Sequence, residues 1–128
     1  MIAAILESGS LERLSTGLSL LVSAAADGEP VRALVMYGAL GPLLDDALFE
    51  RALEAEAAPS VVARETFART LVELRATAFE LPEVRIWACA AALEATGVPR
   101  ELAEARLDGV LSTPRFLREV AGARLVVI

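Results

Sequence analysis

The chain has 128 residues, a formal net charge of −6 and 55% hydrophobic residues, with a pI near 4.7 and a mean hydropathy of +0.54. All 12 basic residues are arginine, and lysine, histidine, asparagine and glutamine are absent. Such a chain offers phosphate backbones and anionic lipid little to grip, and it can build no Ser-His-Asp or Cys-His pair, no Walker A loop and no Schiff base.

The length suits a single domain over residues 1–128, burying roughly two-thirds of its unfolded surface. One cysteine permits no internal disulfide, which fits a reducing cytoplasm. With no histidine beside it, zinc and copper have no nitrogen–sulfur ligand set, so no metal or cofactor is expected. Nucleic acid and membrane are not expected partners either. The 25 alanines explain part of the high hydropathy. The remainder points to apolar surface covered by a partner subunit.

Residues 2–6 are aliphatic and end at Ser8-Gly9-Ser10, which reads as a strand and a turn. The run lacks a basic leader and meets Glu7 at once, unlike a signal peptide. Ser10 suits a helix N-cap, and Leu11, Leu14, Leu18, Leu21 and Ala25 recur at helical spacing behind it. Asp27-Gly28-Glu29-Pro30 stops that helix. Val31 to Tyr37 is almost continuously apolar, as a strand covered on both faces would be. The three elements make a right-handed βαβ unit.

Gly38 to Pro42 reads as a turn, and Leu43 to Ala58 as a helix with Asp45 and Asp46 near its start. This apolar region is too short and too broken by Gly38, Gly41 and Pro42 to span a membrane. Pro59-Ser60 opens a second helix. One face carries Ala63, Phe67, Leu71, Leu74 and Ala78, another Val61, Ala68, Val72 and Phe79, so broad burial is expected. Glu65, Arg69 and Glu73 form an i,i+4 series on its solvent side. Val84 to Cys89 reads as a central strand, followed by an alanine-rich helix ending at Gly97. Pro99 starts a short helix to Arg106 or Leu107, and Gly109-Val110-Leu111 is a brief strand. Thr113-Pro114 then opens a helix that turns Phe116, Leu117 and Val120 inward. Gly122 closes it before a last strand over 125–128. Strands alternate with helices throughout, which predicts an α/β sandwich around a mostly parallel sheet.

In open parallel sheets ligands bind beyond the carboxyl ends of the strands. That rule gathers Ser8 and Ser10 after the first strand, Tyr37 and Gly38 after the second, Cys89 after the third, and Ser112, Thr113 and Arg115 after the fourth. Cys89 is the only nucleophile among them that needs no separate base. At the start of a helix, unpaired N–H groups and the helix dipole favour an anionic sulfur. Strand alternation puts Arg85, Trp87 and Cys89 on one face and Val84, Ile86 and Ala88 on the other. Free cysteine is also among the most buried residue types. Core filler and reactive thiol therefore stand side by side.

Other signals are weaker. Gly38-Ala39-Leu40-Gly41 lacks the third glycine and spacing of a dinucleotide fingerprint. Ser8-Gly9-Ser10 is read as a turn and cap before an anion cradle, and Asp45-Asp46 as a charged first turn before a cation site. Arg115 is suited to holding a thiolate or persulfide by charge, though an exposed arginine is the plainer reading.

Cys89-Ala90-Ala91-Ala92-Leu93, Gly97-Val98 and the closing Ala123-Arg124-Leu125-Val126-Val127-Ile128 resemble the DsrE/DsrF/TusD-like sulfur-relay family. The early Val31-to-Tyr37 strand and the element order fit as well, while residues 39–80 match less. The resemblance implies a three-layer α/β/α sandwich with a five-stranded parallel sheet, assembled as trimers or hexamers. It also implies that Cys89 accepts sulfane sulfur from a donor protein and passes it on as a persulfide, without base, cofactor or metal. Members without the cysteine are structural subunits, so an interaction subunit with an inert Cys89 is the alternative. A thiol-dependent redox enzyme would need a resolving cysteine from a partner.

Overall fold

In the computed structural model, which describes residues 1–55 and 60–128, five strands form one sheet in the order β4-β3-β2-β1-β5. These are β1 (Ile2–Leu6), β2 (Val31–Val35), β3 (Val84–Cys89), β4 (Val110–Leu111) and β5 (Arg124–Val127). Every pairing is parallel, so all five carboxyl ends lie on one edge. The expected sheet is thus fully parallel, and the fold is the predicted α/β sandwich.

Helix α1 (Leu11–Ala26) starts where Ser10 accepts a hydrogen bond from the Arg13 N–H, and it buries Leu14, Leu18, Leu21, Ala24 and Ala25. This is the apolar series the sequence carries at helical spacing. Its face is located by Gly17, where an added Cβ would stand 2.7 Å from Leu6 Cδ2. Leu6 pairs with Val35 and so shares a sheet face with Ala4, Val31, Ala33, Ile86 and Ala88. Helix α4 (Val61–Glu80), capped by Ser60, packs beside α1.

From β1 to β4 the chain steps across the sheet in one direction, and from β4 to β5 it returns past β1. With right-handed crossovers that return must run over the opposite face. Helix α7 (Thr113–Glu119) does so. Its Phe116 ring meets Trp87 edge-on, with centroids 6.2 Å apart and planes at 67°. Helices therefore lie on both sides of the sheet, giving three layers. Among the described residues no helix is long and apolar enough to cross a membrane.

Several local expectations are corrected. The second strand stops at Val35, because Tyr37 adopts φ 40° and opens a 3-10 turn over Tyr37–Ala39. The stretch read as a turn continues as α2 (Leu40–Leu44), with Gly41 and Pro42 inside it. Proline is tolerated there because the N–H groups of a helix's first turn have no intrahelical acceptor. The helix read over 43–58 is interrupted at Asp45–Ala47, and α3 (Leu48–Leu53) follows. Asp45 causes the break by accepting the Ala47 N–H at 2.8 Å, which competes with the helical pattern. Helix α3 ends at Leu53 with Glu54 as its C-cap, short of the expected end; residues 56–58 of that reading, and Pro59 as a helix start, lie outside the described residues.

Helix α4 is buried along one stripe rather than broadly. Ala68, Leu71 and Ala78 are buried, while Val61 and Val62 are 66% and 72% exposed. The cap of α7 is Ser112, not Thr113, and Leu117 is exposed, because Phe116 and Val120 alone define the inward line. Helix α5 (Ala90–Thr96) follows its expected course, with Gly97 left-handed at φ 74°, whereas α6 (Arg100–Arg106) starts one residue later than expected, with Pro99 as its N-cap instead of its first helical residue.

Candidate functional site

Cys89 closes β3 and is the N-cap of α5, with φ −73° and ψ 124°. Alternation along β3 gives the two faces expected from sequence. Val84, Ile86 and Ala88 are buried on one; Arg85 is exposed, Trp87 half-buried and Cys89 fully buried on the other. The sulfur makes no capping hydrogen bond to the first turn of α5. Its polar neighbour is the Thr113 hydroxyl, with Sγ and Oγ1 3.8 Å apart and either able to donate. Strand pairing sets this meeting, since Cys89 lies opposite Leu111, two residues before Thr113. The thiol has no access to solvent in this conformation.

The other residues gathered from sequence do lie at the same edge, in an order fixed by the sheet: β4 with Thr113 and Arg115, β3 with Cys89, β2 with Tyr37, and β1 with Ser8 and Ser10. Of these, Thr113 is the one whose side chain lies within hydrogen-bonding reach of the sulfur. Ser8 and Ser10 stand two strands from Cys89, and their hydroxyls are engaged locally. Ser8 Oγ accepts the Ser10 N–H at 3.1 Å, and Ser10 Oγ accepts the Arg13 N–H at 3.3 Å. That is the turn and cap, not an anion cradle. Arg115 is exposed, forms no ion pair among the described residues, and uses its backbone N–H on Ser112 Oγ.

Strand order reverses between β1 and β5, which is where the crevice rule directs a ligand. Cys89 sits away from that reversal. Among the described residues, two surface clefts lie away from the thiol. One of about 350 Å³ lies between α1 and α4, at Ser15, Ser19, Thr70 and Leu74. The other, about 440 Å³, lies between α2 and α6, at Leu40, Leu44, Val98, Pro99 and Leu102.

Tyr37 holds a left-handed conformation that a non-glycine residue adopts at a cost of about 1–2 kcal/mol. Beside it, Gly38 approaches the β1 loop closely. A Cβ there would stand 2.7 Å from the Gly9 nitrogen and 3.1 Å from the Glu7 carbonyl oxygen. Gly38 is therefore a contact glycine, locking the β1 and β2 loops together. No local sequence signal marks such a position, because the obstructing backbone is about 30 residues away along the chain.

Asp45 and Asp46 are taken up by arginines instead of standing open to a cation. Asp45 accepts from Ala47 N–H and pairs with Arg51 at 3.3 Å, and Asp46 pairs with Arg106. The backbone hydrogen bond is the main reason the Asp45 carboxyl lies below its ordinary value, with Arg51 adding to it. Arg75, from α4, donates to the carbonyl oxygens of Pro42, Leu43 and Asp45 and so closes the carboxyl end of α2. Burial pulls its guanidinium below the ordinary value, and Arg106 nearby does the same. Sequence reading missed this clamp, since 30 residues separate Arg75 from Asp45.

A comparison with protein-family models finds none that matches the chain, and a search of curated proteins finds no matching sequence.

Proposed function

We propose that the protein is a cytoplasmic sulfur carrier in which Cys89 accepts sulfane sulfur and relays it as a persulfide. The observation that carries this reading is the location of the chain's only thiol, at the carboxyl end of a central parallel strand beside the Thr113 hydroxyl. That is the edge where α/β folds of this type perform their chemistry. In the transfer, the Cys89 thiolate attacks the terminal sulfur of a donor persulfide. The donor's S–S bond breaks, its thiolate leaves, and a new S–S bond forms on Cys89 with no net oxidation or reduction. The reverse sequence of bonds passes the sulfur to an acceptor. Neither histidine nor lysine is required, in keeping with the composition.

The partners in this reading are a sulfur donor protein and a sulfur acceptor protein, and the assembly is a homotrimer or homohexamer of DsrE-like subunits. Sedimentation velocity tests the assembly. For the chemistry, the intact mass is measured after exposure to a sulfane donor, before and after reduction. A reducible gain of one sulfur atom, absent in Cys89→Ser, is the expected result. A thiol that gains none while the protein is folded overturns it. Complete burial of Cys89 favours the second reading, a non-catalytic interaction subunit with an inert cysteine.

A further inference from the structure

We propose that the segment between Gly109 and Gly122 is a lid whose opening exposes the Cys89 sulfur. A fully buried thiol cannot meet the persulfide of another protein, because attack needs a clear line to the sulfur. The group against the sulfur is Thr113, the first residue of α7. Moving α7 therefore carries the Thr113 hydroxyl away from the sulfur.

The attachments of this segment suit such a movement. Two α7-side residues are buried, Phe116 against the edge of Trp87 and Val120, while Pro114, Arg115, Leu117, Arg118 and Glu119 are exposed. Among the described residues no ion pair tethers Arg115, Arg118 or Glu119. β4 spans two residues, both half-buried, and pairs on one side with β3. Segments with few buried contacts open well before the whole fold does.

Both boundaries are also built to bend. Gly109 has φ 134° and Gly122 has φ 83°, so each can change φ and ψ without moving a Cβ. Just outside them the chain is pinned. Asp108 donates its N–H to the Ile86 carbonyl and accepts the Ile86 N–H on its carboxylate at 2.7 Å. On the far side, Arg124 and Ile128 donate to the carbonyls of Met1 and Ile5. Helix α7, held by Phe116 and Val120, thus lies between two positive-φ glycines, Gly109 itself accepting the Ala88 N–H at 3.0 Å, and two hydrogen-bonded flanks.

The purpose of this opening rests on the sulfur-carrier reading, but the motion is measured separately by alkylating Cys89 with iodoacetamide across sub-denaturing urea. Wild-type labelling is expected to be nearly independent of urea at low concentration and to share its opening equilibrium with the α7 amides in hydrogen exchange. Phe116→Ala should raise the labelling rate by roughly 100-fold, while amide protection in α1 and α4 is retained. Labelling that follows global unfolding, with the urea dependence of α1 amides, overturns the lid. So does a folded Phe116→Ala protein that labels at the wild-type rate. Should Phe116→Ala not fold, the wild-type urea dependence still decides. Local opening without any sulfur uptake by Phe116→Ala would retain the lid and remove the sulfur-carrier reading; sulfur uptake with labelling tied to global unfolding would do the opposite.

Discussion

The two faces of the sheet are built differently. On one, α1 and α4 lie side by side, and Leu18, Leu21 and Leu71 are fully buried against Val31, Ala33 and Ile86. On the other, α7 crosses the sheet holding on through Phe116 and Val120. The apolar residues of β5 on that face, Leu125 and Val127, remain 45% and 59% exposed beside Ala3 and Ile5. The apolar excess registered in the hydropathy thus surfaces partly on the thin face and partly at the start of α4. The difference separates two tasks. The thick face supplies stability, and the thin face carries the sulfur and the helix that hides it.

The largest expected effect falls on the thick face. Leu21→Ala empties a fully buried position and should lower global stability by about 2–5 kcal/mol in a denaturant titration, without selectively speeding Cys89 alkylation. Equal acceleration of local labelling by Leu21→Ala would erase the distinction between the faces. Next comes the loop lock at the carboxyl edge. Gly38→Ala drives a Cβ into the backbone of Gly9 and Glu7, which cannot swing aside, and should cost about 1–3 kcal/mol. Gly17→Ala meets a leucine tip instead, and its gain in helix propensity offsets part of the crowding, so it should be the milder change in the same thermal melt.

Smaller still is Ser112→Ala, which removes the cap of α7. About 1 kcal/mol of local stability is at stake, and the checking measurement is faster Cys89 alkylation with an unchanged global midpoint. The smallest effect is electrostatic. Asp45 has its folded value lowered, so its contribution is present above the ordinary carboxylate value near 3.8 and fades as pH falls through the lower, folded value. Asp45→Asn keeps an acceptor for Ala47 N–H but loses the charge facing Arg51. Its stability deficit should be visible at neutral pH and shrink in strongly acidic melts.

The elements legible in the sequence were those coded by short-range pattern. Ser10 and Ser60 announce their helices because a hydroxyl oxygen next to an unpaired N–H needs only local geometry. The leucine series of α1 and the alternation along β3 follow from the helical and strand periods. Cys89 at a strand's end was legible for the same reason. Where reading failed, a side chain or distant contact overrode local pattern: Asp45 breaking a helix, Tyr37 leaving its strand early, and Val61 staying exposed in an apolar helix start.

By itself the sequence determined the alternation of strands and helices, and with it an α/β sandwich. It also placed the chain's one cysteine at a strand's end, in a chain without histidine or lysine. Only the tertiary structure decided strand order, and hence that Thr113 rather than Ser8, Ser10 or Tyr37 meets the sulfur. It alone decided that Cys89 is buried, and that α7 is anchored beside it through Phe116 and Val120. The reason is physical: periodicity is a property of neighbours along the chain, whereas which strands lie together and what covers a side chain depend on contacts between residues far apart in it.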